Sequence, residues 1–172
     1  MRFFSGFSLC QEKEVFAPYL KESDFVVAGF SKGAIDALEF ALQSDIRIDL
    51  LQLFSPAFFM DKEEFYKQSQ LDYFQKNEKL YIRQFLKNIA YPSSKKMDAY
   101  YCHEDISELE RLLFYNWKER DLQKLAQKGI MLEVYLGGRD KIIDPMAVKA
   151  FFQPYATVYF IKEGGHILDG QD

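Results

Sequence analysis

The clearest pattern in the chain is a short apolar run that passes directly into a helical pattern. Residues 25–29 combine β-branched, aromatic and small side chains, which is typical of a buried strand, and apolar positions at helical spacing follow over 32–43. Ser31 lies between the two, in a Gly-x-Ser-x-Gly sequence whose glycines are Gly29 and Gly33. We therefore predict a strand, a sharp turn that carries Ser31, and a helix.

Four further apolar runs predict strands, and helical patterns separate most of them. The five predicted strands are 2–4, 25–29, 50–54, 130–136 and 156–162. A brief helix is expected over 11–20. Strands that alternate with helices indicate a parallel sheet with right-handed crossovers. The sequence therefore predicts the α/β class, with about five parallel strands flanked by helices.

The stretch from 61 to 128 has a different pattern. Its apolar residues recur at helical spacing, no strand is predicted there, and 91–96 forms the main loop. We interpret this stretch as a helical insertion above the carboxyl ends of the strands. The chain is then one domain, with a core formed by 1–56 and 129–172 and with 57–128 as a helical lid and its return helix.

Composition narrows the class of protein. The chain of 172 residues has 48% hydrophobic and 28% charged residues, as in an ordinary globular domain, and its net charge of −4 argues against general nucleic-acid binding. It has no run of 18 apolar residues, and residues 1–6 lack the apolar segment of a secretory signal, so we expect a cytoplasmic protein away from membranes. Cys10 and Cys102 lack metal-ligand spacing, so we expect free thiols and no metal or organic cofactor.

A serine nucleophile needs a base and a carboxylate that orients the base. Of the two histidines, His166 follows the last predicted strand in a glycine-containing loop, whereas His103 lies in the helical insertion and suits a surface or lid position. Asp140 follows the fourth predicted strand, and Asp144, which precedes a proline, suits a helix cap better. The order Ser31, Asp140, His166 is the order expected in α/β hydrolases.

Acyl transfer also needs hydrogen-bond donors for the oxyanion. The backbone N–H of Lys32, next to the nucleophile, is the first candidate. The second is expected in the loop 5–8 after the first strand, where we prefer the N–H of Phe7 and keep Ser8 as the alternative.

Taken together, these motifs resemble a shortened α/β hydrolase over residues 2–56 and 130–167. The segment 5–7 stands where that family usually carries His-Gly-x, and 140–145 resembles its Asp-x-x-Val-Pro motif with one extra residue. Relative to the family, the first two strands and the fourth are missing, and the last helix is reduced to a stub. The predicted fold is thus a five-stranded α/β hydrolase with a helical lid.

Within the superfamily, the chain is most similar to the carboxylesterases of biotin synthesis, which hydrolyse the methyl ester of pimeloyl-acyl carrier protein. That resemblance implies Ser31 as nucleophile, Asp140 as acid, His166 as base, and the N–H groups of Phe7 and Lys32 as oxyanion donors. It also implies an acyl carrier protein as partner.

The lid carries features that suit such a partner. Between 67 and 96, seven basic residues stand against two acidic ones, and carrier proteins are acidic. The basic residues that we expect to contact it are Arg83, Lys87, Lys95 and Lys96, and the aromatic residues expected to line an acyl channel are Phe65, Tyr73, Phe74 and Phe85. A solvated helix face and ordinary core packing are the alternatives for the two groups.

Two other functions stay open at this stage. The first is a general short-acyl carboxylesterase or thioesterase, in which the lid binds a free small molecule. The second is a degenerate hydrolase that binds a ligand or partner without turnover.

Overall fold

A single parallel sheet forms the centre of the protein, whose computed structural model describes residues 1–170. Its strands lie side by side in chain order, and every neighbouring pair is parallel. The strands are β1 (Arg2–Phe4), β2 (Val26–Phe30), β3 (Leu50–Phe54), β4 (Met131–Gly137) and β5 (Thr157–Ile161). The predicted five-stranded α/β fold is confirmed. The predicted core segment 129–172 extends two residues beyond the described part of the chain.

Six α-helices occur among the described residues. They are α1 (Lys32–Gln43), α2 (Glu64–Lys76), α3 (Glu78–Ala90), α4 (Ile106–Phe114), α5 (Glu119–Gln127) and α6 (Pro145–Phe152). The brief helix expected over 11–20 is only a 3₁₀ turn, Glu12–Phe16, and a second such turn spans Met97–Tyr100. Helix α2 packs on both α3 and α4, whereas α5 returns to pack on α1 and β4.

The core lies on the central strands. Residues of β2 and β3 are buried along the full length of each strand, and α1 covers both strands. Trp117, which precedes α5, is fully buried, and its indole N–H donates to the carbonyl of Ala57 at 2.9 Å. That hydrogen bond ties the lid's return segment to the chain that leaves β3.

The expectation of free thiols is wrong, because Cys10 and Cys102 form a disulfide. The two cysteines are 92 residues apart, and an antiparallel bridge between Leu9 and Tyr101 aligns their backbones. Their Cα atoms are 5.9 Å apart, within the range that a disulfide spans. Spacing along the sequence carries no sign of this pairing, which depends on where the lid meets the loop after β1.

None of the helices described for residues 1–170 is long and apolar enough to cross a membrane.

Candidate active site

The turn between β2 and α1 holds Ser31 in an unusual backbone conformation. Its φ and ψ angles are 53° and −114°, a region that non-glycine residues rarely occupy and that is a feature of nucleophile turns. A Cβ atom on Gly33 would collide with the carbonyl of Phe4, and one on Gly29 would collide with the carbonyl of Gly33. The two glycines are therefore required by close backbone packing around Ser31.

Three side chains from distant parts of the chain form one hydrogen-bonded series. The Oγ atom of Ser31 lies 3.0 Å from Nε2 of His166, and Nδ1 of His166 lies 2.6 Å from Oδ2 of Asp140. Ser31 is buried, and the side chains of His166 and Asp140 are fully shielded from solvent. With the proton of the imidazole on Nδ1, Nε2 is free to accept the proton of the serine hydroxyl.

Further hydrogen bonds fix the two partners of Ser31. The other carboxylate oxygen of Asp140 accepts the backbone N–H groups of Ile142 at 2.7 Å and Ile143 at 3.1 Å. Ser55, which follows β3, donates its hydroxyl to the carbonyl of His166 at 2.7 Å. The acid and the base are thus each held by the backbone or side chains of neighbouring strand ends.

The alternative acid and base lie elsewhere. His103 has a side chain that is 59% exposed, and its Nε2 lies 3.2 Å from Oε1 of Glu78. Asp144 caps α6, where its carboxylate accepts the N–H groups of Met146 and Ala147, as its place before Pro145 predicts. The structure therefore brings together the three residues that the strand order favours.

The two oxyanion candidates both have free backbone donors. Within residues 1–170, neither the N–H of Phe7 nor that of Lys32 has a protein hydrogen-bond partner. The N–H of Ser8, the alternative donor, is taken by the carboxylate of Glu104 at 2.8 Å. Phe7 and Ser31 line the same cavity, so Phe7 is the better placed donor of the loop.

A cavity of about 540 Å³ opens beside Ser31 and runs under the lid. Its lining combines apolar side chains, neutral polar ones and two lysines, Lys76 and Lys141, and no carboxylate is among the described residues that line it. The apolar part includes Phe59, Leu109, Leu112, Leu113 and Ile142, and the neutral polar part includes Gln70, Asn77, Gln84 and Asn88. Burial raises the pKa of Tyr81, which donates to Gln70 at 3.2 Å, so this group stays neutral too.

The four predicted channel aromatics divide into two pairs. Tyr73 and Phe85 line the cavity, whereas Phe65 and Phe74 do not. Phe65 lies on the outer side of α2 with 83% of its surface exposed. Phe74 is buried in the core, where its ring packs near that of Phe7 at a centroid distance of 6.3 Å. The prediction for Phe65 and Phe74 is wrong, because helical spacing does not reveal which side of α2 faces the cavity.

The predicted basic residues also differ in their surroundings. Arg83, Lys87 and Lys96 are exposed, but Lys95 forms an ion pair with Asp169, with Nζ and Oδ2 2.9 Å apart. Lys79 was not singled out from the sequence, although with Arg83 and Lys87 it forms a stripe at i, i+4 and i+8 on α3.

Two carboxylates near the site were not predicted at all. Glu12 is fully buried and accepts the N–H of Gly6 at 2.8 Å. Glu104 binds both the loop after β1 and the side chain of Lys32. No sequence signal could have found them, since each partner is fixed by the tertiary structure. Within residues 1–170, no group of three or more His, Cys, Asp or Glu side chains is arranged to hold a metal ion.

This parallel sheet, with a serine turn after β2 and with Asp140 and His166 after β4 and β5, has the architecture of the α/β-hydrolase fold. Known structures of that fold are similar to it. They include a hydrolase from Oleispira antarctica (16% identity, TM-score 0.64), MenH from S. aureus (15%, 0.57) and BioG from Haemophilus influenzae (16%, 0.59).

The extent of these matches differs. The match to the Oleispira hydrolase covers 83% of this chain but only 58% of that one. The matches to MenH and BioG cover 97% and 96% of this chain and 87% of each of theirs. No family model matches the chain, and no curated protein matches it in sequence. At these identities the comparisons establish the fold alone.

Proposed function

We propose that the protein is a serine carboxylic-ester hydrolase that cleaves the methyl ester of pimeloyl-acyl carrier protein. The observation that carries the proposal is the hydrogen-bonded series of Ser31, His166 and Asp140 beside a cavity. Hydrolase structures of the same fold, BioG among them, support the general class of activity. The substrate itself rests on the resemblance to the esterases of biotin synthesis.

The mechanism follows from the positions of the side chains. The hydroxyl of Ser31 attacks the ester carbonyl while Nε2 of His166 takes its proton, and Asp140 stabilises the imidazolium. The oxyanion of the tetrahedral intermediate accepts hydrogen bonds from the N–H groups of Phe7 and Lys32, each donor being worth roughly 10²–10³ in rate. The intermediate collapses, and methanol leaves with the proton from His166. Water then attacks the acyl-enzyme by the same steps and releases the free acid.

The cavity suits the aliphatic chain of an acyl ester. Leu109, Leu112 and Leu113 give it an apolar wall, and its other polar groups are amides, phenols and the side chains of Lys76 and Lys141. The apolar wall can therefore hold the aliphatic chain of an ester.

The exposed stripe on α3 supports the carrier protein as partner. Lys79, Arg83 and Lys87 are all exposed, and within residues 1–170 none of them forms an ion pair. Leu80, Gln84 and Asn88, on the neighbouring positions of the same helix, line the cavity. An acidic carrier that docks on this stripe would therefore bring its acyl chain to the cavity entrance. Such a partner is in keeping with the expected cytoplasmic location.

The test compares a carrier-bound pimeloyl methyl ester with a free dimethyl ester of similar length. We expect the double variant Arg83→Glu/Lys87→Glu to lose about 10-fold or more in kcat/KM on the carrier-bound ester, with a weaker salt dependence, and to keep its activity on the free ester. The matched control is Arg120→Glu/Lys124→Glu, which reverses two charges at the same spacing on α5.

The proposal of a carrier protein as partner would be contradicted if the wild type had equal kcat/KM for both esters and the α3 variant had no effect. The remaining function would then be a general short-acyl esterase. Independently, Ser31→Ala should lower kcat on the order of 10⁶-fold.

A further inference from the structure

One carboxylate connects the two chain segments that carry the oxyanion donors. Oε2 of Glu104 accepts the backbone N–H of Ser8 at 2.8 Å, and Oε1 accepts Nζ of Lys32 at 2.5 Å. Ser8 is the residue after Phe7, and Lys32 is the residue after Ser31. Glu104 therefore contacts the loop after β1 and the nucleophile turn at the same time.

The Lys32 end of this connection is buried and charged. Its side chain is only 8% exposed, and Glu108 provides a second partner, with Oε2 3.0 Å from Nζ. Burial works against the charged ammonium, but the hydrogen bonds to Glu104 and Glu108 outweigh it and raise the pKa of Lys32. Both carboxylates thus neutralise Lys32, whereas only Glu104 also reaches the loop.

At the Ser8 end of this connection, further bonds join the two chain segments. The N–H of Cys102 donates to the carbonyl of Ser8 at 3.0 Å, and the N–H of Cys10 donates to the carbonyl of Tyr100 at 2.9 Å. The disulfide between Cys10 and Cys102 adds a covalent link beside these bonds. The segment that carries Glu104 is therefore fixed against the loop at several points.

The N–H of Phe7 lies between two donors of the loop that are already taken. Glu12 takes the N–H of Gly6 and Glu104 takes the N–H of Ser8, so the N–H of Phe7 between them remains free within the described residues. Two carboxylates that occupy the flanking donors fix the direction of the peptide that contains Phe7.

We propose that Glu104 is a positioning residue that holds the N–H of Phe7 opposite the N–H of Lys32 and thereby shapes the oxyanion hole. It touches neither the substrate nor Ser31, and it acts through the loop 5–8. The catalytic consequence of this inference rests on the proposed ester hydrolysis. The bridge that Glu104 forms between the two segments does not depend on it.

The test uses Glu104→Ala, Glu104→Gln and the matched control Glu108→Ala, which removes the other carboxylate on Lys32 and leaves Ser8 in place. The first measurement is amide hydrogen exchange at Ser8 by NMR, which needs no activity. We expect exchange to be at least about 10-fold faster in Glu104→Ala, to be intermediate in Glu104→Gln, which keeps one acceptor oxygen, and to be unchanged in Glu108→Ala.

The second measurement is ester hydrolysis. In Glu104→Ala, kcat should fall on the order of 10²-fold while KM changes little, because the lost stabilisation belongs to the transition state. Binding of a trifluoromethyl ketone, whose adduct with Ser31 carries an oxyanion, should weaken by a similar factor. Glu108→Ala should retain kcat within about threefold of the wild type.

Unchanged Ser8 exchange in Glu104→Ala would overturn the inference whatever the activity. Equal losses of kcat in Glu104→Ala and Glu108→Ala would also overturn it, since pairing with Lys32 alone would then explain them. A wild type that cleaves no ester, but whose Ser8 amide loses protection in Glu104→Ala, would contradict the proposed function and leave the positioning role of Glu104 in place.

Discussion

The Nε2 atom of His166 lies 3.0 Å from the Oγ atom of Ser31, although 135 positions separate the two residues in the chain. Ser31 directly follows β2, whereas His166 follows β5 at the other side of the sheet, with β3 and β4 between them. The loop after β5 crosses this distance, and Ser55 at the end of β3 holds it through the carbonyl of His166. The geometry therefore depends on the ends of several strands and on no single element.

Asp140 and Asp144 differ by four positions, and only one of them reaches His166. Asp140→Asn should keep the fold but favour the wrong imidazole tautomer, so kcat should fall on the order of 10⁴-fold. Asp144→Asn is the matched control, because asparagine caps a helix about as well as aspartate does. Steady-state ester hydrolysis by both variants checks the assignment. A large loss of kcat in Asp144→Asn with little loss in Asp140→Asn would contradict the assignment of Asp140 as the residue that orients His166.

The parts of the site that follow strands could be predicted from the sequence. Ser31, Asp140 and His166 each come directly after a predicted strand or in the loop that follows it, and parallel strands all end at the same edge of the sheet. Local signals thus sufficed for the sheet and for the order of the three residues.

The contacts around the lid could not be predicted in the same way. Phe74 and Tyr73 are neighbours on α2, yet Phe74 lies in the core and Tyr73 lines the cavity. The pairs Cys10 with Cys102 and Lys32 with Glu104 join segments more than 70 residues apart. Such pairings depend on how the lid is placed on the sheet, which the periodicity of apolar residues does not determine.

Removal of the disulfide should destabilise the protein. Because the bond closes a loop of 92 residues, the variant Cys10→Ser/Cys102→Ser should lose about 2–5 kcal/mol in the free energy of unfolding. Urea unfolding of the variant and the oxidised wild type measures this loss. A variant as stable as the wild type would contradict the structural role of the bond.

Disulfides are rare in cytosolic proteins. Alkylation of free thiols at cell lysis therefore tests the expected cytoplasmic location.

Glu12 should make stability depend on pH. Burial is the main cause that raises the pKa of this carboxyl above its ordinary value of 4.5, so the folded state binds the proton more tightly than the unfolded state. Its contribution to stability is then full below about pH 4.5 and is lost as the pH rises through the folded-state pKa. Glu12→Gln lacks this titration. The free energy of unfolding of the wild type should therefore fall relative to that of Glu12→Gln between pH 4 and pH 7, and parallel curves would contradict the burial of a titrating group.

The most direct test of the central claim is covalent labelling of Ser31 by a fluorophosphonate, in which the serine oxygen bonds to phosphorus and fluoride leaves. An activated serine reacts, whereas an ordinary hydroxyl does not. We expect intact mass to show one adduct per wild-type chain, peptide mapping to place it on Ser31, and Ser31→Ala to remain unlabelled. A folded wild type that takes up no label, or an adduct that persists in Ser31→Ala, would contradict the assignment of Ser31 as the nucleophile.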